Sequence, residues 1–249
     1  MPSDSSPGPV DDPLFESEHH IFTNKDLLKI GHVPDADRIV GRDEEISKLA
    51  KRLNGAVHGY SPENVMIYGK TGTGKSLVSK HVCERAQNAA QDGVDIGIAY
   101  IDCAEDNTET QAVSSLAAKL NDESETGISV PHTGLSTSKY YKLLWKTLDA
   151  QFDSAIIILD EIDLMNDDSV LMKLSRAEEA GKIECSIGII AISNKIQYVD
   201  NVDERVKSSF QHKELFFKPY DANQLREIMF NREDAFHDGV LTDDVIPLS

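Results

Sequence analysis

Two stretches of this 249-residue chain combine residue types suited to holding a phosphate and a divalent cation. The first, Gly69-Lys70-Thr71-Gly72-Thr73-Gly74-Lys75-Ser76, matches the pattern GxxxxGK[ST] at every position. Phosphates are bulky and multiply charged, so a loop that wraps them must offer backbone N–H groups at close range. Glycines allow that approach, which makes Gly72, Thr73 and Gly74 the expected cradle. Lys75 would reach the outer phosphates and the Ser76 hydroxyl would ligate Mg²⁺. The helix expected to begin near Ser76 would aim its positive end at the same anion. The second stretch is Ala155-Ile156-Ile157-Ile158-Leu159-Asp160-Glu161. A buried strand here would deliver Asp160 at its carboxyl end to hold the Mg²⁺ shell, with Glu161 placed to polarise an attacking water. An ordinary Gly-rich turn and a pair of solvated loop acids are the bland alternatives. The order of the two stretches, each after an apolar run, favours a site for ATP and Mg²⁺.

Other candidates are ambiguous by themselves. Ser193-Asn194 ends a further apolar run, where a neutral amide could position a water, yet asparagine in a turn is common. Arg205 lies in a short polar and apolar mixture that decides nothing alone, and Asp163 is expected to cap a helix or face water.

These residues need a frame, and apolar periodicity supplies it. Strands are expected over 65–68, 96–101, 155–160, 186–192 and 213–217. Helices are expected over 42–53, 76–90, 111–120, 139–148, 170–180 and 222–236, and the polar span 122–134 reads as a loop. Asp221 with Gln224 three residues on forms a capping-box pattern for the last helix. Strands alternating with helices predict an α/β fold with a five-stranded parallel sheet flanked on both faces, and near-continuous apolar strands fit burial on both sides.

The bulk properties exclude some classes. Acidic residues number 43 against 25 Lys and Arg, a net charge of −18. That excess fits adaptation to a salt-rich cytoplasm, a solvated acidic surface without special meaning, or a docking face for a basic partner. In each case it opposes sequence-independent DNA binding by bulk attraction. No apolar run is long enough for a membrane helix, and the N-terminus has no secretory pattern. Cys83, Cys103 and Cys185 are odd in number and widely spaced, which predicts buried thiols in a reducing, cytoplasmic setting. Residues 1–20, rich in Ser, Pro, Asp and His, are expected to form a flexible tail, with no role for His19 and His20.

With these elements in order the chain resembles an AAA+ ATPase of the archaeal replication-initiator type, related to the largest origin-recognition subunit and the cell-division-control loader. The likeness is carried by Ile39-Val40-Gly41-Arg42-Asp43-Glu44-Glu45-Ile46, the phosphate loop, Pro131-His132-Thr133-Gly134-Leu135-Ser136-Thr137-Ser138 and Leu159-Asp160-Glu161-Ile162-Asp163. It continues through Ile192-Ser193-Asn194, Arg205-Val206-Lys207-Ser208-Ser209-Phe210 and Pro219-Tyr220-Asp221-Ala222-Asn223-Gln224-Leu225. The resemblance implies that Asn194 senses the γ-phosphate and that Arg205 is a finger completing a neighbouring subunit's site. It implies that Tyr220 and Arg232, the latter on the first lid helix, contact the nucleotide, and that Val33 and Val40-Gly41 line an adenine pocket. The span 121–148, with Lys139, Lys142 and Lys146, falls where the family carries an insertion that touches origin DNA.

The domains implied are a tail over 1–20, the AAA+ nucleotide-binding domain over 21–220 and the start of a helical lid over 221–249. The family continues into a full lid with a second sensor arginine and a winged helix. A chain ending at Ser249 is therefore expected to contact origin DNA weakly. ATP, ADP and Mg²⁺ are the implied ligands. Other initiator subunits and a replicative helicase are the implied partners, with slow hydrolysis acting as a switch. A non-catalytic paralogue that regulates full-length initiators, and a generic or clamp-loader-like AAA+ ATPase, are the alternatives.

Overall fold

A computed structural model describes residues 21–29 and 38–241; the expected tail over 1–20 and the adenine-pocket residue Val33 lie outside them. Contacts divide the chain into two units. The larger is Gly41–Tyr220, and the smaller joins the described parts of the N-terminal segment to residues from Asp221 onward.

The larger unit is built on five parallel strands, β1 (Val65–Gly69), β2 (Ile96–Asp102), β3 (Ser154–Asp160), β4 (Ser186–Ser193) and β5 (Lys213–Phe217). They lie side by side in the order β2-β3-β4-β1-β5. The helices are α1 (Asp43–Val57), α2 (Lys75–Asn88), α3 (Glu109–Leu120), α4 (Glu123–Thr126), α5 (Thr137–Gln151), α6 (Ser169–Ser175), α7 (Tyr198–Asn201) and α8 (Glu204–Phe210). Every residue of β1 and β3 is buried, as expected for parallel strands covered on both faces. The main core gathers Met66 of β1, Ile157 and Leu159 of β3 and Ile189 of β4 with Leu116 of α3 and Leu144 of α5. This order places β4 between β1 and β3, with Tyr68 opposite Ser193 and Leu159 opposite Ala191. The carboxyl ends of three strands therefore open on one crevice, where the strand order turns.

Most elements follow the expected periodicity, and the differences have local causes. The span 122–134 contains α4: Asp122 accepts the Ser124 N–H at 2.9 Å, and Gly127 in the left-handed region ends the turn. Helix α6 stops at Ser175, five residues short of the expected end, and its final hydroxyl bonds back to the Leu171 carbonyl at 2.7 Å. In the smaller unit α9 (Ala222–Phe230) begins with the expected capping box of Asp221 and Gln224. It ends six residues early because Phe236 pairs with Phe22, the ring centroids 5.2 Å apart, in an antiparallel bridge. Arg232 consequently lies beyond the helix, at the cap of a 3-10 turn, and not on the first lid helix as the likeness implied.

Candidate functional site

The loop after β1 turns back on itself through Gly72 and Gly74, at φ +78° and +83°. L-residues reach that region only at a cost. Gly74 caps α2, so the first N–H groups of a 14-residue helix face the crevice. Lys75 is only 6% exposed, and its ammonium donates to the carbonyls of Gly69 and Lys70, each at 2.9 Å, and to Asn194 Oδ1 at 2.8 Å. Burial pushes the Lys75 pKa down, while Asp160, Glu161 and Asp163 oppose that shift.

The acidic side of the crevice is equally committed. Ser76 Oγ donates to Asp160 Oδ2, which also accepts the Tyr100 hydroxyl at 2.9 Å, and Asp160 Oδ1 accepts the Glu161 N–H at 2.9 Å. Burial, reinforced by the Asp160 carboxylate, raises the Tyr100 pKa and keeps that phenol a donor. Glu161 adopts φ +54°, a strained conformation for a residue with a side chain. Its carboxylate accepts from Asn194 Nδ2 at 3.1 Å. Asp163 neither caps a helix nor faces water. Its side chain is 5% exposed, pairs with Lys195 at 3.2 Å, and accepts from Ser193 Oγ at 2.8 Å and the Asn194 N–H at 3.3 Å. It sets the turn that aims Asn194.

Arg42, quoted in the sequence only for its family likeness, ties the loop to the end of the unit. It is 2% exposed, donates from Nε to Thr73 O at 3.0 Å and from Nη2 to Lys218 O at 2.7 Å, and lies 3.9 Å from the Tyr220 ring centroid. Tyr220 thus sits over the loop: a Cβ at Gly74 would lie 2.6 Å from its hydroxyl. Neither Arg42 nor Tyr100 had a signal of its own in the sequence, since each acts through partners distant in the chain.

The structure brings Gly72, Thr73, Gly74, Lys75, Ser76, Asp160, Glu161 and Asn194 around one cavity of about 260 Å³, with Tyr100 and Asp102. Arg205 is not among them; it is exposed on α8. Val40 and Arg232 belong to the smaller unit, the first buried and the second exposed. A larger cavity of about 610 Å³ opens in the smaller unit beside Arg38 and Asp234, but it is lined by acids and aromatics and has no phosphate-loop glycines.

The loop is suited to a phosphate chain, and Ser76 and Asp160 are hard oxygen donors of the kind that take Mg²⁺. Among the described residues no group of three or more His, Cys, Asp or Glu could hold a metal. A cation here would draw most of its oxygens from the ligand and water.

Residues 58–194 match the AAA domain family. The chain is 92% identical over 234 residues to ORC1-type DNA replication protein 2 of Halobacterium salinarum, covering 94% of itself and 89% of that protein. It is 92% identical over all 249 residues to ORC1-type DNA replication protein 4 of the same organism, of which it spans 61%. Among solved structures it is similar to the Aeropyrum pernix ORC1 protein in complex with DNA. The TM-score is 0.78 and the identity 34%, over 94% of this chain and 59% of that one.

Proposed function

The chain belongs to the ORC1-type DNA replication protein family, with an AAA domain, and from that premise we propose that it binds ATP with Mg²⁺ and hydrolyses it slowly as a switch in replication initiation. The supporting observation is the continuous hydrogen-bonded chain Lys75–Asn194–Glu161, which joins the phosphate loop to the acid at the end of β3. The N–H groups from Gly72 to Ser76 receive the phosphates. Lys75 exchanges its carbonyl partners for phosphate oxygens, and Tyr220 covers the loop. Ser76 and Asp160 would hold Mg²⁺, which neutralises charge on the phosphate oxygens. Asn194 contacts the terminal phosphate, and its amide then has a stronger acceptor than Glu161. The carboxylate it releases accepts the proton of the attacking water. While Asn194 holds Glu161, turnover is slow.

Arg205, exposed on α8, serves a neighbouring initiator's site in place of this one. Other initiator subunits are the partners, a replicative helicase is the downstream target, and origin DNA is contacted weakly because the chain carries −18. A cytoplasmic setting is part of the proposal, supported by Cys83, Cys103 and Cys185, which are buried free thiols. One observation favours a second reading, a regulator that holds nucleotide without turnover. The Asn194–Glu161 contact occupies the general base. Turnover measured alone and mixed with a full-length initiator separates the two.

Lys75→Ala tests the site itself. It removes a buried cation that lines the cavity and should abolish tight ATP binding in calorimetry while the circular dichroism spectrum is retained. Undiminished affinity would overturn the assignment.

A further inference from the structure

Away from the phosphate loop, α5 and α6 enclose a hollow of about 370 Å³ whose floor is Tyr141, Trp145 and Met172 and whose rim is basic. Three rim cations, Lys142, Arg176 and Lys182, are exposed and have no side-chain partner among the described residues. A fourth, Lys173, is held by Glu109 at 2.7 Å, which also accepts the Tyr141 hydroxyl at 3.0 Å and so fixes that wall. No acid lines the hollow. In a chain with 43 acidic residues and 25 basic ones, an apolar floor ringed by uncommitted cations is the reverse of the surrounding surface. A rim of one sign complements an acidic occupant.

We propose that the α5–α6 hollow is a docking site for an acidic peptide segment of a partner protein, one that inserts apolar side chains between the aromatics while flanking carboxylates meet Lys142, Arg176 and Lys182. A duplex would satisfy the rim but leave the recessed floor of Tyr141, Trp145 and Met172 uncovered, since its outer ridges offer charge and its apolar base edges lie inside the grooves. A hollow this size takes one or two side chains, which fits a peptide anchor. The site is independent of the nucleotide reading.

Trp145 is the single tryptophan of the chain, so its emission reports the floor directly. The probe is a synthetic peptide carrying a Leu-Phe pair between short runs of glutamate, titrated against the full chain. A saturable emission change is expected, with a Kd on the order of 10–100 µM. It should weaken as salt rises from about 0.1 M to about 1 M. The Lys142→Glu/Arg176→Glu variant should bind about tenfold more weakly, with its circular dichroism spectrum and urea midpoint unchanged as the measure of intact folding. The same peptide with glutamine for glutamate, tested on the unmodified chain, should lose a similar factor and requires no variant to fold. Absence of saturation, indifference to salt, or equal binding of the glutamine peptide would overturn the proposal. So would a mixed-sequence duplex that changes the Trp145 signal more tightly than the peptide and is weakened by the same substitutions.

Discussion

Replacing Gly74 by alanine should cost more than replacing Gly72, although the two backbones are nearly alike. Both residues are left-handed, at φ +83° and +78°. Alanine in that region costs about 1–2 kcal/mol, partly offset by about 0.5 kcal/mol from a stiffer unfolded chain. Gly72→Ala therefore loses about 1 kcal/mol, since no atom lies within 4 Å of its added Cβ. At Gly74 the new methyl would meet the Tyr220 hydroxyl at 2.6 Å. The ring must then move from the Arg42 guanidinium, now 3.9 Å from its centroid, a contact worth about 1 kcal/mol at a partly buried site. The expected loss is about 2 kcal/mol, read as the shift in urea midpoint at constant slope. Tyr220→Phe removes the clashing oxygen and keeps the stacked ring, so in the Gly74→Ala background it should restore most of the difference. The double-mutant coupling is then about 1 kcal/mol. Equal costs at the two glycines, or no coupling to Tyr220, would refute the account of how the loop is covered.

Glu161→Gln should retain ATP affinity while turnover falls about 10²-fold or more; unchanged turnover in a phosphate-release assay would return Glu161 to the status of a loop acid. Asp163→Asn keeps the volume but removes the partner of Lys195 and weakens the acceptor for the Ser193 hydroxyl and the Asn194 N–H. It should leave ADP affinity unaltered and reduce both the preference for ATP over ADP and turnover by about tenfold, the low end of the roughly 1.5–3 kcal/mol of a hydrogen bond to a charged group. Intact discrimination would show that Asn194 needs no such support. His81 and His212 both have pKa values below the ordinary 6.5, mainly because burial disfavours the cation. Below about 6.5 the unfolded chain takes up those protons first, so this contribution to stability is complete above that pH and is lost as pH falls through the folded values. The urea midpoint should decline between pH 7 and pH 5, and a flat profile would contradict burial of these imidazoles.

Much of this architecture was legible because a parallel sheet covered on both faces demands continuous apolar runs. Ala155–Leu159 and the β4 run announced their strands and, through them, where Asp160 and Asn194 would emerge. The phosphate loop was legible because its glycines have a purely local reason. What escaped were residues whose roles depend on partners far along the chain. Arg42 reads as the first residue of a helix until Thr73 and Lys218 supply carbonyls for it. Tyr100 reads as a strand aromatic until β3 sets Asp160 opposite its hydroxyl. Asp163 looked like a surface cap because three residues of sequence cannot show that β4 returns beside it. The early end of α9 has the same origin: local periodicity ran on to Phe236, and the pairing with Phe22 overrode it.

The carboxylate of Asp160 has no idle oxygen: one takes the Glu161 N–H, the other the hydroxyls of Ser76 and Tyr100. A bare divalent ion diffusing in would have to shed tightly held water and break the hydrogen bonds that Ser76 and Tyr100 make to that carboxylate, gaining few ligands in return. If the loop anchors a triphosphate as proposed, an ion already chelated by it would lose little by entering. On the proposed nucleotide reading the crevice would then be deaf to free cation and answer to metal that arrives with nucleotide, so that order of arrival would be written into the hydrogen bonds of one aspartate.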